Sequence, residues 1–186
     1  TGSACRNPYE IHRALWRLFS NDEEATRDFL FRVGHADRLH AEILLQSETK
    51  PDQPNANVRI QACKDYQLTL NNGQRLRFLL IANPVKTIND EAGRKTANGE
   101  TKKCRVPLIR EEDQRLWIER KLRDAATLDT LKIDPMTPLR FYKTKEDRAG
   151  KIQPVSFKGI MNIRDAEGIT NLIKKGIGPG KAFGCG

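Results

Sequence analysis

Three ring-bearing side chains near the start of the chain, Tyr9, His12 and Trp16, have the types and spacing to do chemistry together. Residues three and four apart are neighbours on a helix surface, so all three fall on one flank of a predicted helix. Tyr9 and His12 occupy its first turns, where the positive end of the helix dipole favours a bound anion. The alternative is that these rings only fill a contact between elements.

A histidine, a phenol and a positive helix end suit the cleavage of RNA by attack of a 2′-hydroxyl on the adjacent phosphate. His12 would take the 2′-hydroxyl proton or give a proton to the departing 5′-oxygen, and the sequence leaves both roles open. Tyr9 would orient the phosphate or stabilise its charge. General acid–base catalysis contributes about 10²–10⁴-fold, and this reaction needs no metal or cofactor. His35 and His40 flank a polar turn and are assigned no role.

A glycine-rich loop at the end of the chain is the second candidate. It contains Lys181 among Gly176, Gly178, Gly180, Gly184 and Gly186. Glycine lets the backbone approach a ligand, and successive N–H groups in such a turn can bind an anion. The Walker loop does not match, because Lys175 and Ala182 stand where it needs Gly and Ser or Thr. The dinucleotide fingerprint does not match either, so we expect an RNA phosphate backbone rather than a small nucleotide.

The net charge of +9 is unevenly distributed along the sequence. Residues 1–93 hold 12 Lys and Arg against 12 Asp and Glu, whereas residues 94–186 hold 21 against 12. The basic residues that we expect to hold an RNA stem by its phosphates are Lys102, Lys103, Arg105, Arg148 and Lys151, in part around a later polar loop. Scattered solvated side chains are the alternative explanation.

Other site types have little support in the sequence. The four cysteines at positions 5, 63, 104 and 185 lack the C-x-x-C pairs of zinc or redox motifs, and we interpret them as free thiols. The three histidines have no metal-ligand spacing, so we expect neither a metal nor a cofactor. No apolar run reaches the roughly 18 residues of a membrane span. The expected compartment is the cytoplasm.

The elements that must position these residues can be predicted from periodicity. Asn7, Pro8 and Glu10 indicate a helix start, and Asn71-Asn72-Gly73 indicates a hairpin turn. The predicted helices are 8–19, 111–125 and 165–175, with Leu116 facing inward in the second. The predicted strands are 28–33, 41–46, 67–70, 76–82, 139–142, 152–157 and 159–163, with a linker at 83–99 and a polar loop at 143–151.

This pattern predicts an α+β protein of two domains, residues 1–88 with the candidate catalytic helix and residues 89–186 with the basic face and the glycine-rich loop. A β-α-β unit should begin with a strand before its first helix, yet only residues 1–7 precede that helix. No strand follows Gly186 either. The two outermost strands are therefore expected to be absent from the given sequence.

The chain resembles a known family, the CRISPR-associated repeat-processing endoribonucleases of type I-E systems. These are the CasE subunits of the Cascade complex, in the RAMP superfamily. The resemblance is carried by the segments 7–19, 27–31, 82–87, 105–109 and 150–153 and by the glycine-rich loop.

The resemblance implies two tandem ferredoxin-like (RRM-like) domains. It implies metal-independent cleavage of CRISPR precursor RNA below the repeat hairpin, with His12 as general acid or base and Tyr9 as its partner. The product would stay bound, so the implied partners are crRNA and other Cascade subunits. The competing hypothesis is a non-catalytic RNA-binding or assembly subunit in which His12 is structural.

Overall fold

The computed structural model describes residues 8–19, 28–37, 39–51, 57–143 and 148–186, with only the backbone at 142, 143 and 148. The helices are α1 (Pro8–Trp16), α2 (Glu111–Leu122) and α3 (Ala166–Lys175), followed by a short 3-10 helix (Lys181–Phe183). The strands are β1 (Phe29–Ala36), β2 (Ala41–Ser47), β3 (Arg75–Ala82), β4 (Val85–Asn89), β5 (Lys103–Pro107), β6 (Ala126–Pro135), β7 (Leu139–Lys143), β8 (Arg148–Ile152) and β9 (Val155–Ile163).

The first hydrophobic core joins α1 to an antiparallel hairpin of β1 and β2. Its buried side chains are Ile11, Leu15, Leu18, Phe29 and Phe31. The helical residues recur at spacings of four and three, which places them on one stripe of α1, and Phe29 and Phe31 alternate on one face of β1. Tyr9 and His12 lie beside this stripe and are half-buried.

The second and larger core is built on an antiparallel sheet in the order β3–β9–β6. Helices α2 and α3 pack on it through Trp117, Ile118 and Ile169, against Phe157 and Ile163 of the central strand β9. The remaining strands form three two-stranded antiparallel hairpins, β1–β2, β4–β5 and β7–β8.

The two cores are also linked by polar contacts between their secondary elements. Gln46 of β2 donates a hydrogen bond from Nε2 to the carbonyl of Ile173 in α3, at 3.1 Å. The backbone N–H of Gly186 donates to the carbonyl of Ile81 in β3, at 2.7 Å. The glycine-rich loop is thus tied to the sheet of the second core.

The predicted hairpin around Asn71-Asn72-Gly73 is wrong. A turn does form there, since Gln74 N–H donates to the Asn71 carbonyl, but residues 67–70 are not a strand and β3 pairs with β9 instead. The side chains of β3 pack in the second core, together with elements that follow residue 88, and the predicted domain boundary at residue 88 stays a prediction.

Several element bounds differ from the predictions. Helix α1 ends at Trp16 and a turn follows, and Asn7, the predicted N-cap, lies outside the described residues. The predicted linker contains β4, and the predicted polar loop contains β8. The predicted strand 152–157 is divided by Pro154, which cannot donate a ladder hydrogen bond. Leu116, predicted to face inward, is 64% exposed on α2.

Among the described residues, no helix is long and apolar enough to cross a membrane.

Candidate functional site

His12 is held in an aromatic cluster at the base of α1. Its ring centroid lies 5.8 Å from that of Trp16 and 5.7 Å from that of Phe29, and its Nε2 atom is buried. Tyr9, one turn earlier, is half-buried. The aromatic contacts restrict the orientation of the imidazole. On the side of its ring that faces Trp16 and Phe29, His12 fills a contact between elements, as in the alternative interpretation.

Helix α1 packs against two other parts of the chain that were predicted to bind RNA. It contacts the 3-10 helix Lys181–Phe183 of the glycine-rich loop, and it contacts strand β7 of the hairpin β7–β8. The fold thus brings helix α1, which carries Tyr9 and His12, into contact with both segments, although they are far from it in the sequence.

The backbone of the glycine-rich loop requires glycine. Gly176, Gly178, Gly180 and Gly184 all have positive φ, with values of 72°, 83°, 97° and 78°. A Cβ atom at Gly178 would lie 2.8 Å from Cζ2 of Trp117, which is buried in α2. The positive φ angles at all four positions, and the close approach of Trp117 at Gly178, therefore make a side chain unfavourable in this loop.

Lys181 interacts with the end of the preceding helix. Its Nζ donates a hydrogen bond to the carbonyl of Lys175, the last residue of α3. Its Cε lies 3.3 Å from the position that a Cβ at Gly176 would take. Lys181 therefore stabilises the C-terminal end of α3, where cations are favourable, and its predicted role as an RNA ligand stays a prediction.

Hairpin β7–β8 carries two of the expected phosphate ligands, Arg148 and Lys151, both on β8. Lys151 on β8 is exposed and lies opposite exposed Arg140 on β7. Arg148 begins β8 beside Lys143, and the side chains of both lie outside the described residues. Like charges directly opposite each other across a ladder are unfavourable for the folded protein by themselves, and the predicted role of Lys151 and Arg148 in binding RNA stays a prediction.

The remaining predicted ligands, Lys102, Lys103 and Arg105, lie on another hairpin, β4–β5, and all three are exposed. The structure does not bring this hairpin into extensive contact with α1. The two sets of basic residues therefore lie on two different hairpins.

The loop of hairpin β4–β5 is held by a buried carboxylate. Asp90 accepts hydrogen bonds from Nε and Nη2 of Arg94, both at 2.8 Å, and from the Cys104 thiol at 3.3 Å. The Arg94 guanidinium holds the pKa of the Asp90 carboxyl far below its usual range. The hydrogen bond to Asp90 in turn raises the pKa of the Cys104 thiol.

His35 lies on β1 and His40 in the turn before β2, and both are exposed. Within the described part of the chain, no three His, Cys, Asp or Glu side chains cluster as metal ligands would. Burial raises the pKa of the Cys185 thiol, within the glycine-rich loop, to about 11.

Sequence reasoning missed three residues that surround the site, Phe29, Phe141 and Phe183. Phe29 contacts His12, and the rings of Phe141 and Phe183 lie 4.2 Å apart, between β7 and the glycine-rich loop. The one available signal was the single aromatic residue within an otherwise small-residue loop, at position 183.

Comparison with known proteins shows relatives along the whole chain. A family model described as CRISPR associated protein matches residues 2–186. The chain is 40% identical over 182 residues to the CRISPR system Cascade subunit CasE of Escherichia coli (strain K12), covering 97% of this chain and 90% of that protein. It is 32% identical over 196 residues to the CRISPR-associated endoribonuclease Cse3 of Thermus thermophilus, covering 97% and 88%.

Solved structures show the same extent of similarity. The crystal structure of the CRISPR-associated protein Cas6e from Escherichia coli matches with a TM-score of 0.79 at 38% identity, covering 99% of this chain and 91% of that one. A structure of the CRISPR endoribonuclease Cse3 bound to a 19-nucleotide RNA matches with a TM-score of 0.74 at 30% identity, covering 99% and 92%. The matched region includes both α1 and the glycine-rich loop.

Proposed function

Because the chain belongs to the CRISPR-associated protein family that includes CasE and Cse3, we propose that it is an endoribonuclease that cleaves CRISPR precursor RNA at the base of the repeat hairpin. The product is a crRNA that stays bound to the protein. The partners are the repeat hairpin RNA and the other subunits of Cascade, the complex named for the relative CasE.

One observation carries this proposal. Helix α1, with Tyr9 and His12, lies against both the glycine-rich loop and strand β7 of the basic hairpin. A scissile phosphate at α1 would thus have a proton-transfer group, a phenol and the positive end of a helix on one side. The glycine-rich loop lies on another side, through its 3-10 helix.

The chemistry follows from these groups. The 2′-hydroxyl attacks the neighbouring phosphorus while His12 accepts the hydroxyl proton or donates a proton to the leaving 5′-oxygen. Tyr9 orients the phosphate or stabilises its charge, and the products are a 2′,3′-cyclic phosphate and a 5′-hydroxyl. His12 supplies about 10²–10⁴-fold, and the in-line arrangement of the three reacting atoms supplies much of the rest. The proton transfers use protein side chains, so we propose a reaction without a metal.

The architecture proposed for this activity is a pair of ferredoxin-like domains. In the second core the elements follow the order β3, α2, β6, β9, α3, and the sheet order is β3–β9–β6 with every pair antiparallel. These five elements match the first five of the six elements in the β-α-β-β-α-β pattern. We therefore propose that the second domain begins before β3 rather than after residue 88.

We propose that the two basic hairpins, β4–β5 and β7–β8, bind the RNA together with the glycine-rich loop. Arg148 and Lys151 on hairpin β7–β8 and Lys102, Lys103 and Arg105 on hairpin β4–β5 would hold phosphates of the stem. Gly176, Gly178, Gly180 and Lys181 would shape the cleft beside α1. Phosphate contacts fix the position of the RNA, and the double-stranded stem is recognised mostly by its shape.

The competing proposal is a non-catalytic RNA-binding subunit of the same complex. It is favoured by the aromatic contacts of His12 with Trp16 and Phe29, which give that side chain a packing role. Both proposals require the RNA hairpin to bind, so binding alone does not separate them.

The test is to incubate the protein in EDTA with a CRISPR repeat hairpin RNA and with the same RNA carrying a 2′-deoxy nucleotide at the cut position. We expect cleavage of the all-ribose RNA only, with a 2′,3′-cyclic phosphate end. Tight binding of both RNAs without cleavage would favour the non-catalytic subunit. Cleavage of the deoxy RNA at the same bond would contradict the 2′-hydroxyl mechanism.

A further inference from the structure

Two phenylalanines connect the basic hairpin to the glycine-rich loop. The ring of Phe141 on β7 lies 4.2 Å from that of Phe183 in the 3-10 helix, with an angle of 33° between the planes. Both rings are half-buried. This centroid distance is shorter than the range of about 4.5–7 Å that is usual for aromatic pairs, so the two rings are in close contact.

The hairpin is built to hold the Phe141 ring in that place. Phe141 pairs with Gly150 across β7–β8, and a Cβ atom at Gly150 would lie only 2.2 Å from Cζ of Phe141. The ring therefore lies across the glycine, in the space that any other residue's side chain would take. Arg140 precedes Phe141 on β7, and Lys151 follows Gly150 on β8. Both are exposed, as the alternation of side chains along a strand requires.

The other end of the contact is fixed to the elements that carry the candidate site. The 3-10 helix with Phe183 packs against α1 and β1, and a Cβ at Gly184 would lie 3.3 Å from Cε2 of Phe31 in the first core. The Phe141–Phe183 pair is thus a direct link between the hairpin that bears Lys151 and the elements around His12.

We propose that Phe141 and Phe183, with Gly150 providing the space, are positioning residues that hold hairpin β7–β8 at a fixed distance from α1 and so select which phosphate reaches the site. This inference rests on the proposed function. A stem held by the hairpin would enter in one register only while the hairpin is fixed. If the pair merely fills space, a leucine at either position would replace it without consequence for the cut.

The test compares Phe141→Leu, Phe183→Leu and the double variant by hydrogen exchange and by product mapping. We expect each single variant to raise amide exchange in 139–143 and 148–152 by about 2- to 10-fold, the factor that corresponds to an aromatic pair. The double variant should add little, because either change removes the same contact. Cleavage by the variants should spread from one bond to neighbouring bonds at single-nucleotide resolution.

Gly150→Ala should have the same effect by displacing the Phe141 ring. Its matched control is Gly34→Ala in β1, where a Cβ would meet only the Glu42 carbonyl at an ordinary 3.7 Å. Folded variants with unchanged exchange, or with a single unchanged cut, would overturn the proposal, as would effects that add fully in the double variant. If the wild-type protein binds RNA without cutting it, the proposed function fails, and the exchange measurement still decides whether the pair fixes the hairpin.

Discussion

Arg140 and Lys151 lie directly opposite each other across hairpin β7–β8, and both are exposed. A cross-strand pair of like charges is unfavourable for the folded protein by itself. A polyanion that lies along this face would neutralise both charges. Its binding is also favoured because Lys and Arg displace the counterions that are condensed on the phosphates. The arrangement therefore favours binding over the stability of the free protein.

The substitution Lys151→Ala should separate these two effects by their opposite signs. The free protein should be as stable as the wild type or slightly more stable, because a repulsive pair is removed. RNA affinity should fall, and the slope of log K against log salt should decrease in magnitude by about 1. Denaturant unfolding and RNA binding at several salt concentrations measure the two quantities.

Lys50→Ala, an exposed lysine after β2, is the matched control for loss of one positive charge. We expect a smaller change in affinity and salt slope for this variant. Equal changes in both variants would contradict a specific role for hairpin β7–β8.

The substitution His12→Ala should separate catalysis from binding. We expect cleavage of the repeat hairpin RNA to fall by about 10²–10⁴-fold while affinity stays nearly unchanged, because general acid–base help is lost but phosphate contacts remain. Single-turnover cleavage and equilibrium binding measure the two. His12→Gln, which keeps more of the packing against Phe29, should cleave as poorly as His12→Ala.

The control is His35→Ala, an exposed histidine on β1. It should cleave at the wild-type rate. Equal cleavage by His12→Ala and the wild type would leave His12 with a structural role only, as in the non-catalytic alternative.

The substitution Gly178→Ala should destabilise the protein through two separable causes. A left-handed backbone costs a non-glycine residue about 1–2 kcal/mol, and a Cβ 2.8 Å from the Trp117 ring adds overpacking of about 1–3 kcal/mol. Gly73→Ala is the control, because Gly73 has a similar φ of 81° with nothing within 4 Å of its Cβ position. Denaturant unfolding should show the larger loss for Gly178→Ala, and equal losses would mean that the loop yields at Trp117.

The family resemblance and the mixed α/β fold are confirmed, and their evidence was local in the sequence. Helices α1 and α3 and strands β1 and β2 were predicted because each buries a stripe or face that repeats with a regular period. Strand β6 was missed because the bulge between Leu128 and Thr130 interrupts the alternation of apolar and polar residues along it. The pairing of β3 with β9 was missed because Phe78 and Gly159 are distant in sequence, and a nearby turn signal favoured a local hairpin.

The candidate site divides in the same way. Tyr9 and His12 could be selected from their spacing on one helix, since helical neighbours are determined by local geometry. The contact of Phe141 with Phe183, and of His12 with Phe29, depends on how distant segments pack, which no local period encodes. The positions of the basic hairpins relative to α1 required the structure for the same reason.

Part of the acid dependence of stability should come from hairpin β4–β5, whose loop is held by Asp90. The pKa of Asp90 is depressed by Arg94, so its contribution to stability is fully present above the usual carboxyl value near about 4 and is lost as the pH falls below it. Asp90→Asn should therefore be less stable at pH 7, and its free energy of unfolding should fall less steeply between about pH 5 and pH 2. Urea unfolding across this range measures both effects. Asp65→Asn, at an exposed position in the segment before β3, should keep the wild-type slope, and an equally altered slope in this control would mean that Asp90 has no special part in the acid dependence.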